Sequence, residues 1–173
     1  MSKENIIDSD YLGIVNNILN NEEFIRRKEY KHHGEISVYD HSLRVSYLSY
    51  KFAKKFKSVN EKDVAIGGLL HDFYYKPWMN DTEKRKFFEK HGFVHAREAL
   101  ENSKIFFAEE LNDVREDIIL KHMFPLNIKL PKYKETWIIT LFDKLVSLEV
   151  IKEPKFFLSL FNINSRKIRK GKK

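Results

Sequence analysis

Histidine and aspartate, two residue types that bind transition metals, recur at separated points of this 173-residue chain. Imidazole nitrogens and carboxylate oxygens are common ligands of first-row transition metals, and one tetrahedral ion needs four ligands. Taken singly, each residue is more simply explained as a hydrogen-bonded core histidine or a capping aspartate. Taken together they constrain the fold, because separate helices must then converge on one pocket that suits two ions sharing a carboxylate. The six residues are His41, His71, Asp72, His95, His122 and Asp143.

The first of these residues lie on segments with a helical pattern. Between Val38 and Phe56 the apolar residues recur at helical spacing, so we predict a helix with His41 in its first turn. Asn60 is a suitable N-cap for a helix from Glu61 to Tyr74, which carries the adjacent His and Asp.

That helix contains the pair Gly67-Gly68, and each glycine costs roughly 1 kcal/mol relative to alanine. Because this cost must be offset, we expect the glycines to allow a neighbouring helix to pack very closely beside the His71-Asp72 turn. On a continuous helix His71 and Asp72 would point about 100° apart and flank a shared cavity wall.

Helices are predicted along most of the remaining chain. Three of them carry the other ligand-type residues: Val94–Phe106 with His95, Asn112–Met123 with His122, and Glu135–Ile151 with Asp143. Three more are predicted at Asp8–Leu19, Glu22–Tyr30 and Thr82–Lys90. On the Glu135–Ile151 helix we predict that the apolar residues face the core, namely Trp137, Ile138, Leu141, Leu145 and Leu148.

No segment shows the alternating pattern of a strand, and no internal repeat is visible. We therefore predict an all-α, single-domain bundle of about six to eight helices over residues 1–165, followed by a basic tail at 166–173. The run Lys31-His32-His33-Gly34 interrupts the helical pattern, so both histidines are expected to be exposed loop residues. The apolar segment Phe156–Phe161 is expected to pack on the body.

The net charge of +7 comes from the C-terminal end of the chain. Residues 152–173 contain eight basic residues and one acidic residue, whereas the rest of the chain is balanced. A balanced body argues against nucleic acid as its partner, and the basic end is expected to be a solvated terminus. The absence of cysteine, of a visible signal peptide and of a membrane-length apolar stretch leads us to expect a cytoplasmic protein.

The order of the ligand-type residues resembles the HD-domain superfamily of metal-dependent phosphohydrolases. Local strings support the resemblance, among them Asp40-His41-Ser42, Leu70-His71-Asp72 and Leu120-Lys121-His122. The resemblance implies a metal-binding helical domain, and the presence of His95 and His122 resembles the two-metal branch of the superfamily. Members of that branch that cleave cyclic dinucleotides carry a glycine-rich motif after the His-Asp pair, and this chain has Phe73-Tyr74-Tyr75-Lys76 there instead.

The resemblance leads to a hypothesis about the ions and the reaction. One ion would be held by His41, His71, Asp72 and Asp143, and a second by Asp72, His95 and His122. Asp72 would bridge, because a carboxylate has two oxygens. The ions, two divalent transition metals such as Fe, Mn, Co, Ni or Zn, would activate water against a phosphate ester. Asp72, His95 and His122 are therefore the candidate catalytic residues.

Phosphoryl transfer also needs cations around the substrate oxygens. Arg44 lies three residues after His41 on the same helical face, while Lys76 and Lys144 follow the proposed ligands Asp72 and Asp143. These three are the candidate substrate-binding residues for a small phosphorylated molecule, which could be a nucleotide. The aromatic residues Tyr74, Tyr75 and Trp78 would suit either a stacking wall or the core.

Two other functions are compatible with the same residues. A small branch of the superfamily uses a mixed-valent di-iron centre to activate oxygen, and the ligands alone do not separate it from a hydrolase. A metal-stabilised binding or signalling module with little turnover is the other alternative, although a structural role needs fewer ligands.

Overall fold

A computed structural model describes residues 8–33, 36–75 and 94–148. Within these ranges the chain forms seven α-helices and one two-stranded ribbon, which confirms the predicted all-α class. The helices are α1 (Ser9–Leu19), α2 (Glu22–Ile25), α3 (Val38–Ala53), α4 (Glu61–Leu70), α5 (Val94–Phe106), α6 (Asp113–Lys121) and α7 (Lys134–Ser147). The strands are β1 (Lys31–His33) and β2 (Ile36–Ser37), which pair antiparallel. The predicted helix Thr82–Lys90, the apolar segment Phe156–Phe161 and the basic tail lie outside the described residues.

Helix α4 occupies the centre of the fold. Every residue from Asp63 to Leu70 is buried, and α4 packs against α1, α3, α6 and α7. A helix that is buried on all sides has to be surrounded by other elements. One apolar cluster joins α4 to α1, α3 and α5, and a second joins it to α3, α6 and α7. The His71-Asp72 pair therefore follows directly after the most enclosed of the described helices.

Side-chain caps fix where five of the helices begin. Asp8, Asn21, Ser37, Asn60 and Asn112 each accept a hydrogen bond from a backbone N–H in the first turn of α1, α2, α3, α4 and α6, respectively. Such a cap contributes about 1 kcal/mol, because it satisfies an N–H that has no partner within the helix. The predicted N-cap at Asn60 is confirmed.

The two glycines of α4 allow its neighbours to approach closely, as predicted. A Cβ atom added at Gly68 would lie 2.7 Å from the Cα atom of Ser46 in α3. One added at Gly67 would lie 2.6 Å from the Cδ1 atom of Ile118 in α6. Ser46 uses this proximity to donate a 2.6 Å hydrogen bond to the carbonyl oxygen of Ala65. Gly67 and Gly68 therefore allow α4 to pack closely between α3 and α6.

Helix α4 ends earlier than the sequence predicted. Its last residue is Leu70 rather than Tyr74, and His71 is the C-cap. Phe73 and Tyr74 follow in a tight turn, in which the N–H of Tyr74 bonds the carbonyl oxygen of Asp72 at 2.8 Å. The His71-Asp72 pair therefore lies at the end of α4 and not inside the helix.

The predicted core face of α7 was wrong for three of its five residues. Ile138 and Leu145 are partly buried, and Ile138 packs against the second apolar cluster. Trp137, Leu141 and Leu148 are 45%, 50% and 73% exposed. The residues of α7 that are buried lie on another face: Glu135, Thr136, Ile139, Thr140, Asp143 and Val146. Apolar periodicity selects the wrong face here because the helix is oriented by its polar contacts, with an aspartate and two threonines turned inward.

The segment before α3 was also predicted incorrectly. It was expected to be a loop, but β1 and β2 pair across it, with Lys31 opposite Ser37. The ribbon runs directly into α3, whose first residue, Val38, donates a 2.8 Å hydrogen bond to the carbonyl oxygen of Tyr30. This short ribbon escaped the sequence analysis because its strands have only three and two residues, too few to show an alternating pattern.

The carboxylate of Asp117 joins α6 to α7. Its Oδ2 atom accepts hydrogen bonds from the Thr136 hydroxyl at 2.7 Å and from the N–H of Lys132 at 3.0 Å, while Oδ1 pairs with Lys121. Burial by itself raises the pKa of Asp117, but these partners reverse the effect and lower it. The contact fixes the relative position of the two helices that carry His122 and Asp143.

Replacing Gly68 by alanine is expected to destabilise the fold by about 1–3 kcal/mol, because the added methyl group meets the backbone of α3 and must displace it. The matched control is Gly13→Ala in α1, where an added Cβ meets nothing within 4 Å. That change should stabilise the protein by about 0.5–1 kcal/mol through helix propensity. Urea unfolding followed by circular dichroism measures both changes, and equal effects of the two substitutions would contradict the close packing.

Asp117→Asn is expected to cost about 1–3 kcal/mol at pH 7, because the amide has one acceptor oxygen where the carboxylate uses two. The lowered pKa means that this stability is present above the ordinary carboxyl pKa and is lost as the pH falls through the folded-state pKa. The difference between the two proteins should therefore be largest above about pH 5 and shrink below about pH 4. Unfolding free energies over this range test it, with the exposed Glu109→Gln as control; a constant difference would refute the assignment.

Candidate metal centre

Five structural elements bring the six ligand-type side chains together. His41 lies in the first turn of α3 and His95 in the first turn of α5, while Asp143 lies on the buried face of α7. His71 and His122 are the C-caps of α4 and α6. Five of the six are buried, and His95 has a side chain that is 19% exposed. We call these residues the His/Asp cluster: His41, His71, Asp72, His95, His122 and Asp143.

His71 and His122 are oriented in the same way. Each ring donates a hydrogen bond of 2.8 Å from Nδ1 to a carbonyl oxygen of its own helix, at Gly68 and Ile119, respectively. Carbonyl groups in the last turn of a helix have no partner within the helix, so a C-cap histidine can satisfy one of them. Because Nδ1 carries the proton of the neutral ring, Nε2 is the nitrogen whose lone pair can bind a metal ion in the cluster.

The carboxylate of Asp72 lies at the centre of the cluster. Its Oδ2 atom is 3.7 Å from Nε2 of His41 and 3.4 Å from Nε2 of His71. Its Oδ1 atom is 3.5 Å from Nε2 of His95 and 3.5 Å from Nε2 of His122. Each oxygen therefore faces a different pair of histidines.

Asp72 thus belongs to two groups of potential ligands. In the first group, Oδ1 of Asp143 lies 3.1 Å from Nε2 of His41 and 3.7 Å from Nε2 of His71. In the second group, the Nε2 atoms of His95 and His122 are 3.3 Å apart. Within each group the ligand atoms all lie within 4.8 Å of one another. The first group is His41, His71, Asp72 and Asp143, and the second group is Asp72, His95 and His122.

The chemistry of the cluster fits a metal ion. Nε2 of His71 and Oδ1 of Asp72 are buried and make no hydrogen bond within the described part of the chain. Burying such atoms without a partner is costly, and a bound cation satisfies them because it accepts lone pairs from nitrogen and oxygen. The cluster therefore fits a site for divalent transition-metal ions.

The electrostatics of the cluster favour a cation as well. Burial by itself would raise the pKa of Asp72 and of Asp143, but the neighbouring histidines hold both well below the ordinary carboxyl value. Burial would likewise lower the pKa of His71, but Asp72 and Asp143 raise it to about 9. The pocket thus keeps two ionised carboxylates, and a metal ion competes with protons for the imidazoles.

A cavity of about 360 Å³ opens beside the cluster, and Asp72, His95 and Asp143 line it. Lys144 also lines this cavity, with its Nζ atom 3.3 Å from the carbonyl oxygen of Thr140. Burial lowers the pKa of Lys144, while Asp143 opposes this change. A primary amine is therefore available beside the proposed ligands.

Arg44 and Lys76 were also predicted to bind substrate, and neither is placed at the cavity by the described residues. Arg44 is half-buried on α3 and does not belong to the described lining of the cavity. Lys76 lies outside the described residues. A role of either residue in substrate binding stays a prediction.

One residue of this site, His32, was not predicted from the sequence. His32 was expected to be exposed, but its side chain is only 11% exposed and lines the cavity. Its Nδ1 atom lies 3.0 Å from the hydroxyl oxygen of Tyr74, and its ring lies against that of His41, with centroids 3.9 Å apart. The available signal, a histidine pair next to Gly34 before the His41 segment, does not by itself distinguish a site residue from a loop residue.

The aromatic residues after the His-Asp pair take different positions. Tyr74 is buried, lines the cavity and meets the ring of His95 edge-on at 5.7 Å. Burial, together with Asp72 and Glu98, raises the pKa of Tyr74, so its hydroxyl stays protonated. Tyr75 instead makes structural contacts, donating from its hydroxyl to Glu23 at 3.1 Å. Trp78 lies outside the described residues.

Comparison with known proteins agrees with this geometry. The family model of the HD domain matches residues 38–148, a range that contains the whole His/Asp cluster. The chain therefore belongs to the HD domain family. No curated protein and no solved structure matched the chain. Among the described helices, none is long and apolar enough to cross a membrane.

Because the two groups share only Asp72, substitution of different ligands should lower the metal content by different amounts. We expect wild-type protein loaded with Mn²⁺ or Co²⁺ to retain about two ions per chain. Asp143→Ala should lose the ion of the first group and His122→Ala that of the second, whereas Asp72→Ala should lose both, because Asp72 belongs to both groups. Elemental analysis after dialysis measures the content, with the exposed Asp113→Ala as control. Full metal content in Asp72→Ala would contradict the shared carboxylate.

Proposed function

We propose that this protein is a metal-dependent phosphohydrolase with a dinuclear centre and a small phosphorylated substrate. The position of Asp72 supports this most directly, because its two oxygens face separate pairs of histidines. A carboxylate in this position would hold two divalent ions, one through each oxygen. Membership of the HD domain family, which consists mostly of metal-dependent hydrolases, supports the same proposal.

The second group is the better candidate for the reacting side of the centre. It offers three ligands where the first group offers four, and catalytic sites keep a coordination position open. Asp72 and His95 also line the cavity. When bound, two divalent ions would polarise a phosphate oxygen and make a bound water more acidic. Asp72, His95 and His122 are therefore the proposed catalytic residues, since they hold the open side of the centre.

The cavity suggests the shape of the substrate. Its volume, about 360 Å³, is that of a small-molecule site. Lys144 offers a positive charge to a phosphate oxygen, whereas Met123, Leu126 and Leu148 form an apolar wall nearby. This combination favours a phosphate ester that carries an apolar or aromatic group, and a nucleotide is one such molecule.

Product formation from a panel of substrates tests the proposal, measured as phosphate release for monoesters and by chromatography of the products for phosphodiesters and nucleotides. Metal-free protein is loaded in turn with Mn²⁺, Co²⁺, Ni²⁺, Zn²⁺ or Fe²⁺, the last without oxygen, and supplied with phosphomonoesters, phosphodiesters and nucleotides. We expect metal-dependent turnover, and a higher kcat/KM for 1-naphthyl phosphate than for glycerol 3-phosphate. Asp72→Ala should lower kcat/KM at least about 100-fold while the helical circular dichroism is kept. Asp113→Ala serves as the control.

The same experiment identifies the competing functions. Two bound ions without hydrolysis of any substrate by any metal form would overturn the proposal and favour a binding module. Oxygen consumption by the iron form, with an electron paramagnetic resonance signal from a mixed-valent pair, would instead favour the oxygenase. Lys144→Met should raise KM about tenfold with little change in kcat if Lys144 binds the phosphate of the free substrate.

A further inference from the structure

We propose that His32 is a seventh functional residue of the metal centre, a positioning residue that holds the ligands of the first group from the side of the ribbon. The proposal rests on the metal site of the preceding sections, and it does not require that the reaction be hydrolysis.

The distances place His32 among the histidines around Asp72. Its Nδ1 atom lies 3.6 Å from Oδ2 of Asp72, within the 3.4–3.7 Å that separates the same oxygen from the Nε2 atoms of His71 and His41. The ring of His32 also lies against that of His41 at an interplanar angle of 32°. His32 therefore contacts two ligands of the first group.

The ribbon explains how this residue reaches the site. His32 is the middle residue of β1, and β2 leads into α3 at Val38 with no intervening loop. Because the strands run antiparallel, the chain turns back and places His32 beside His41, nine positions later in the sequence. The hydroxyl of Tyr74, just beyond the His-Asp turn, meets Nδ1 of His32 at 3.0 Å and ties the ribbon to that turn.

These contacts suit a positioning residue better than a ligand. His32 belongs to neither of the groups whose ligand atoms all lie within 4.8 Å of one another. Its ring covers one face of the His41 imidazole, which restricts rotation of that ligand, and its polar edge lies beside Oδ2 of Asp72 and the Tyr74 hydroxyl. Partners of this kind fix the orientation of metal ligands, and losing one typically costs 10–100-fold in metal affinity.

The proposal predicts an effect on one ion and not on the other. Oδ2 of Asp72 and Nε2 of His41 belong to the first group, whereas His95 and His122 make the second group with Oδ1. Removing His32 should therefore weaken binding of the first ion and leave the second nearly unchanged. A general structural defect would weaken binding of both ions, and it would also cause a loss of cooperative unfolding in the metal-free protein.

Titration of the metal-free protein with Co²⁺, followed by visible absorption, measures the two affinities. Asp143→Ala and His122→Ala identify which binding step belongs to which group. We expect His32→Ala to weaken the first step about 10-fold or more and the second by less than about twofold, while the metal-free protein keeps its cooperative urea unfolding. Equal affinities in His32→Ala and wild type would overturn the proposal, as would equal weakening of both steps or the absence of cobalt binding.

Two further variants separate the ring contact from the polar contact. His32→Phe keeps a flat ring against His41 but loses both nitrogens, while Tyr74→Phe keeps the ring against His95 and loses only the hydroxyl. Each should weaken the first step by less than His32→Ala. If both act through the contact between Nδ1 and the hydroxyl, the double variant should be no weaker than His32→Phe alone. Additive effects would overturn the part assigned to the Tyr74 hydroxyl.

Discussion

The carboxylate of Asp72 is the contact on which the site depends, because its two oxygens face different pairs of histidines. That position requires α4 to reach the middle of the fold and to end there. Gly68 contributes to the position of Asp72 in two ways. It has no side chain, so α3 can approach α4, and its carbonyl oxygen accepts the hydrogen bond that orients His71. One residue thus links the packing of the core to the chemistry of the site.

The ends of helices supply most of the site. His71 and His122 follow α4 and α6, where a free carbonyl oxygen fixes the tautomer of each ring. The turn after Asp72 is held from outside the cluster, since Asn102 of α5 donates a 2.9 Å hydrogen bond to the carbonyl oxygen of Phe73. The buried guanidinium of Arg27 lies 3.9 Å from the ring centre of Tyr75. Contacts from α5 and from the short 3-10 helix Arg26–Glu29, which follows α2, therefore keep Asp72 in place.

Polar residues account for the two largest errors of the sequence analysis. Three of the five residues predicted to form the core face of α7 are exposed, because the helix turns Asp143 toward the cluster and Thr136 toward Asp117. His32 looked like a loop residue, because a strand of three residues has no readable periodicity and its partner is nine positions away. Periodicity reports where apolar side chains recur along a helix, and it does not weigh a buried hydrogen bond or a ligand contact against them.

The sequence by itself determined most of the described helices, the N-cap at Asn60, the purpose of Gly67-Gly68 and the identity of the His/Asp cluster. These features depend on short-range spacing or on the order of rare residue types, which can be read along the chain. Only the tertiary structure decided which oxygen of Asp72 faces which histidines, which face of α7 is buried and that His32 joins the site. Those outcomes depend on distances between segments far apart in the chain, and these distances are set by the packing of α3, α5, α6 and α7 around α4.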